Sequence, residues 1–150
     1  MATREAGREK HGWVLNAEQP LDTDGAAGLF LRLGWNDGRT ESFAFTEADR
    51  SLSFGSQGHG WGQEDRWGLA ASVHDLSKDH GDYLARGGLG FVLGDGALNP
   101  GRERVLEAYY AWAPVAWLRI SPDVQCVWNP GYNRDRGPAR VFGLRLRILI

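Results

Sequence analysis

The closing stretch FGLRLRILI, residues 142 to 150, alternates between aliphatic side chains and arginine. Successive side chains of a β-strand point to opposite faces, so Arg145 and Arg147 share one face while Leu144, Leu146, Ile148 and Ile150 share the other. A strand with one wet and one dry face belongs either to a soluble sheet covered on one side or to a membrane barrel. The same period of two recurs in about seven segments: 11 to 19, 26 to 35, 42 to 55, 66 to 74, 103 to 112, 115 to 128 and 139 to 150. The chain is therefore read as all-β and antiparallel.

In each segment one parity is nearly all apolar and the other carries most of the ionisable groups. Leu118, Ile120, Val124, Cys126 and Trp128 oppose Trp117, Arg119, Ser121, Asp123 and Gln125; Leu29, Leu31, Leu33 and Trp35 oppose Gly28, Phe30, Arg32 and Gly34. Arg50 falls on the apolar parity of 42 to 55, where a bulge or a position near lipid headgroups would accommodate it. Ala113-Pro114 reads as a tight turn and 129 to 138 as a longer loop, whereas NDGRTE at 36 to 41 is short and 56 to 65 long for their sides of a barrel. Within the Gly-rich link from 75 to 102, LSKDHGDYLARGG predicts a short helix ended by Gly87 or Gly88. Residues 1–10 are polar and aperiodic, a disordered lead-in, which leaves 11–150 as the structured unit.

Composition removes other classes. A formal net charge of −2, with scattered basic residues, gives no field for nucleic acid. The single Cys126 forms no internal disulfide, and no run approaches the roughly 18 apolar residues of a spanning helix. Twenty-one glycines and seven tryptophans fit short strands joined by turns. Trp13, Trp35, Trp67, Trp112 and Trp128 lie on the apolar parity near strand ends, where indoles favour a membrane–water interface. The competing reading is a soluble β-sandwich or lipocalin-like carbohydrate-binding module with the leucine face turned inward.

The stretches WNDGRTESFAFTEADRSLSFG, GLAASVHDLSKDHGDYLARGGLGFVLGDG, ERVLEAYY, SPDVQCVWNPGYNRDRGP and VFGLRLR, from about His11 to Arg147, resemble the C-terminal portion of the OprB-type carbohydrate-selective porins. The resemblance implies seven strands of a larger barrel of roughly sixteen, placed in the bacterial outer membrane, passing glucose and related sugars by diffusion. It implies as partners carbohydrate solutes, outer-membrane lipid and the N-terminal barrel strands that this sequence does not contain, and it implies no chemistry and no cofactor. Porins of this kind usually end on an aromatic residue, where this sequence has Ile150, and no signal peptide is visible, so a truncated portion of a longer porin is expected.

Facing the water column, the polar parity then supplies Glu103, Glu107, Arg119, Asp123, Arg145 and Arg147, with Tyr109 and Trp117 as stacking surfaces and Glu47 and Asp49 pointing the same way. Glu103 and Glu107 make no hydrolase pair, because four residues of strand span about 13 Å against an upper limit of roughly 9.5 Å. His74, Asp75, Asp79 and His80 show no tight ligand spacing, so no metal is expected there. GGLGFVLGDG departs from the dinucleotide-binding spacing and is read as a flexible loop.

Overall fold

The computed structural model describes residue 7 and residues 9–40, 47–94 and 96–149. Seven strands make one sheet in sequence order: β1 (Gly12–Pro20), β2 (Gly28–Asn36), β3 (Arg50–His59), β4 (Arg66–Asp75), β5 (Glu103–Val115), β6 (Leu118–Trp128) and β7 (Ala139–Ile148). Every neighbouring pair is antiparallel, and the sheet stays open, with β1 and β7 as its edges. The expected lead-in lies largely outside the described residues, and β1 begins at Gly12.

Residues directly opposite each other on paired strands share a face. One such row runs Ala17, Leu31, Phe54, Ala71, Leu106, Cys126. It is the apolar parity of the sequence, continuous across six strands, and no second layer covers it among the described residues. Phe54 is 53% exposed and Leu144 68% exposed. The buried apolar residues are instead Leu76, Leu84, Leu98 and Tyr132, all in the links beyond one end of the sheet. A soluble sandwich would bury the leucine face against another sheet; this chain leaves it bare, and the sandwich reading falls. Trp13 and Trp35 stand opposite each other at one end of the bare face, Trp67 and Trp112 lie at the other, and all are exposed. That is the arrangement of aromatic girdles flanking an apolar band.

The links separate by length. At one end they are 21–27, 60–65 and 116–117; at the other, 37–49, 76–102 and 129–138. Both exceptions seen in the sequence disappear, because β3 is displaced from its expected 42 to 55. Residues 41–46 lie outside the described residues, 47–49 are not strand, and β3 starts at Arg50 and continues to His59. The cause is that Glu47 and Asp49 turn away into the long link, as described below. Arg50 is the first ladder residue of β3, opposite Trp35 and Asp75, with unbroken register beyond it. It sits at the tryptophan level and needs no bulge. The register shift lies elsewhere, between Trp112 and Val115. It corrects the turn expected at Ala113-Pro114: Pro114 lies inside β5, at the irregularity that tolerates its missing N–H, and the turn follows at 116–117.

The expected helix is α1 (Lys78–Ala85). Ser77 caps its start by accepting the His80 N–H at 3.1 Å. Gly87, at φ +91°, ends it: the Gly87 N–H reaches Leu84 O at 3.2 Å and the Gly88 N–H reaches Tyr83 O at 2.9 Å, the paired bonds of a Schellman stop. Spacing of four places His80 and Leu84 on one helical face, and both are buried.

Candidate functional site

The polar parity forms a concave groove of about 380 Å3 on the face opposite the bare leucines. Six of the residues singled out in the sequence meet there: Glu107, Tyr109, Arg119, Asp123, Arg145 and Arg147. The ladder explains their convergence, since Tyr109 stands opposite Asp123, Ser121 opposite Arg145 and Arg119 opposite Arg147. Two arginines directly opposite repel. Here Glu64 offsets the repulsion, with its Oε2 3.2 Å from Arg119 Nη2, while Nη1 of Arg119 donates to the carbonyls of Val115, Ala116 and Leu118 at 3.2 to 3.3 Å. Arg119 thus clamps the β5–β6 turn as well as lining the groove. The Asp123 carboxylate lies over Gly143, where a side chain would collide with it. Carboxylates and arginines are therefore interspersed over β4 to β7 along the groove, a charged wall suited to polar solutes.

Four other predicted residues stand apart. Trp117 occupies the two-residue turn between β5 and β6, its ring exposed, outside the residues lining the groove. Glu103 shares the parity but lies at the far end of β5, where its Oε2 accepts the Gly131 N–H at 2.7 Å. Glu47 and Asp49 are buried below the link, 6% and 2% exposed, on either side of His80, itself 4% exposed. His80 Nδ1 is 3.0 Å from Asp49 Oδ2, and Nε2 is 3.8 Å from Glu47 Oε2. Asp49 also accepts the Ser77 N–H at 2.8 Å and Glu47 Oε1 the Val92 N–H at 2.7 Å, while Glu47 Oε2 is buried without a hydrogen-bond partner. Burial alone would raise the Asp49 carboxyl, but the bonds from His80 and Ser77 outweigh it and hold the group below its ordinary value. An ionised carboxylate only accepts, so Nδ1 of His80 carries the proton. Burial, followed by the nearby carboxylates of Glu103, Asp49, Glu47 and Asp75, pushes the Tyr132 phenol up. The cluster ties the 37–49 link to the 76–102 link and is a lock rather than wall.

At the short-link end Asp65 makes a second lock. Its carboxylate accepts the Tyr110 hydroxyl at 2.6 Å, the Ala113 N–H at 2.8 Å and the Gly62 N–H at 3.0 Å. The Tyr110 hydroxyl, then the Ala113 N–H, hold the carboxyl below its ordinary value. A group with a lowered folded-state pKa stabilises the fold above its unfolded value, and that contribution fades as pH falls through the lowered one. Urea unfolding of a closed barrel that carries this chain is therefore expected to shift to lower urea below about pH 4, and Asp65→Ala should remove much of that dependence. An unchanged pH profile in the variant would contradict the lock.

Among the described residues one further grouping brings three side chains with metal-ligating atoms together. His59 Nε2 lies 3.0 Å from Asp22 Oδ2 and 3.6 Å from Asp24 Oδ1. His59 and Asp24 are largely solvent-exposed, and Asp22 Oδ2 also accepts the Ala27 N–H at 2.6 Å, which makes it a clasp on the 21–27 link. His74, Asp75, Asp79 and His80 stand in separate places: His74 meets Ser72, Asp75 pairs with Arg102, Asp79 lies in the first turn of α1, and His80 joins the buried lock.

The sequence reading missed Glu64, Arg66 and Ser121, which line the groove. Arg66 and Ser121 carry the correct parity and were findable by it; Glu64 precedes β4, where alternation gives no guidance. Farther across the same face, Arg32 lies 5.4 Å from the centroid of the Phe30 ring and pairs with Glu18 at 3.7 Å.

Pseudomonas putida OprB, solved at high pH, superposes on this chain with a TM-score of 0.70 at 21% identity, covering 93% of this chain and 35% of that one. The likeness is one of fold, and the chain spans about a third of the length of that structure. No curated protein matches. The family model described as carbohydrate-selective porin, OprB family, matches residues 2–149, nearly the whole sequence. An open seven-stranded antiparallel sheet, bare and apolar on one face and lined with charge on the other, is what one part of such a barrel requires, and the chain belongs to the OprB family of carbohydrate-selective porins.

Proposed function

We propose that residues 11–150 are the C-terminal part of an outer-membrane barrel and that their concave face is a stretch of channel wall along which neutral sugars, glucose among them, diffuse passively. The observation that carries this reading is the opposition of the two faces. The uncovered aliphatic face meets lipid, and the row of carboxylates and arginines borders water. Sugars pass such a wall by exchanging hydration for side-chain hydrogen bonds, without chemistry, energy coupling or cofactor. The open edges of β1 and β7 would leave unpaired backbone groups in hydrocarbon, each costing several kcal/mol. Further strands must close the barrel, and because bacterial outer-membrane barrels generally hold an even number, the seven among the described residues call for an odd number more.

The test is a chimera in which these seven strands replace the matching third of the Pseudomonas putida barrel. Liposomes carrying it are expected to swell in iso-osmotic glucose at a rate that rises linearly with the gradient and needs no ion gradient. A folded, inserted chimera that admits no glucose would overturn the reading.

A further inference from the structure

The wet face carries a feature separate from the charged groove. The ring of Phe30, on β2, lies over Gly55 of β3, so that a Cβ there would fall 2.5 Å from Phe30 Cε1. The ring of Tyr109, on β5, lies over Gly68 of β4, where a Cβ would also collide with it. Gly55 stands opposite Ala70 and Gln57 opposite Gly68, so the two glycines are diagonal neighbours in adjacent strands. From strands three apart, the two rings lean toward each other and lie along the wall instead of standing out from it. The trough between them holds about 160 Å3, with Gln57 and Glu107 among the residues that line it.

We propose that Phe30 and Tyr109 form a platform that binds a pyranose ring by its C–H face, with Gln57 and Glu107 taking its hydroxyls. The proposal rests on the sugar-channel reading above. A pyranose with equatorial hydroxyls has a flat face made of axial C–H groups, weakly positive at hydrogen, and the face of an aromatic ring is weakly negative. The hydroxyls project around the rim of the sugar. There the Gln57 amide offers both donors and an acceptor, and the Glu107 carboxylate offers acceptors. Glycine at 55 and 68 is what lets the rings lie flat, since any side chain at either position would tilt them upright. The ligand class is an unbranched neutral pyranose; an acyclic polyol has the hydroxyls but no ring face to stack.

The experiment is saturation-transfer NMR on the chimeric barrel refolded in deuterated detergent, irradiating aromatic protons, with methyl β-D-glucopyranoside as probe and mannitol as control. Transfer is expected to the axial protons on one face of the glucoside and not to mannitol. Phe30→Ala and Tyr109→Ala should each weaken binding roughly fivefold, the value of one stacked ring. Tyr109→Phe should retain it, and Gly68→Ala, which displaces the Tyr109 ring, should match Tyr109→Ala. No transfer to the glucoside, or transfer unchanged in the Phe30→Ala/Tyr109→Ala double variant, overturns the platform. The channel reading then still stands if the chimera conducts glucose. Intact transfer with a chimera that admits no glucose overturns the channel reading and leaves a sugar-binding face.

Discussion

Phe54→Lys is expected to destabilise the chain in lipid by about 2–4 kcal/mol, the value for a lysine at the bilayer midplane on the outer face of a barrel. Phe54 occupies the middle of β3, in the row that joins Leu31, Ala71 and Leu106, and its ring is exposed, with no layer over it among the described residues. Nothing in that row offers the ammonium a partner. Ser72→Lys serves as the comparison. Ser72 stands on the adjacent strand, opposite Ser53 and Val105, on the wet face. A lysine there meets water, and its effect should stay at about 1 kcal/mol, most of it the lost bond between Ser72 and His74. Urea unfolding of the chimeric barrel in phospholipid vesicles, with and without each change, measures both. Equal costs at the two sites would mean that the faces do not differ in solvent.

The second large effect belongs to the buried lock. His80→Ala leaves the Asp49 and Glu47 carboxylates facing each other in a water-poor interior, one of them already short of a hydrogen-bond partner at Oε2. Removing one member of a buried charged cluster costs about 3–5 kcal/mol. The loss should fall on the link and not on the sheet. Limited proteolysis is therefore expected to cut the 76–102 link far faster in the variant, while the tryptophan fluorescence of the strands changes little. Asp49→Asn should be milder, because an amide oxygen still accepts the Ser77 N–H. Proteolysis of the link at the wild-type rate in His80→Ala would show that the cluster holds nothing together.

The alternation of Leu144, Arg145, Leu146 and Arg147 was enough to place β7 and both its faces, because parity is a property of the strand itself. The helix stop at Gly87 was equally local, a left-handed residue just past the last turn. Glu47 and Asp49 were placed on the wall by parity alone, yet both sit in the lock, because His80, more than thirty residues later in the chain, draws them off the ladder. No period in the sequence encodes that contact. Pro114 suggested a turn since proline disfavours strands, and only the pairing of β5 with β6 reveals the irregularity that admits it. Parity also put Phe30 and Tyr109 on the wet face, but their inclination over Gly55 and Gly68 depends on which glycine the neighbouring strands bring alongside. Faces are written along one strand, whereas sites are written across several.

The most direct measurement uses the single cysteine. In the chimeric barrel, Cys126→Ala removes the single cysteine of this chain, any other cysteine is replaced, and a nitroxide is then attached in turn at positions 144 to 148 of β7 in lipid vesicles. Collision with oxygen, which concentrates in hydrocarbon, and with a water-soluble nickel chelate should alternate out of phase. Labels at Leu144, Leu146 and Ile148 are expected to favour oxygen, and labels at Arg145 and Arg147 to favour nickel. If the three aliphatic positions resist both reagents, packed into a protein interior while the arginine positions meet water, the chain is a covered soluble sheet and its wet face is no channel wall.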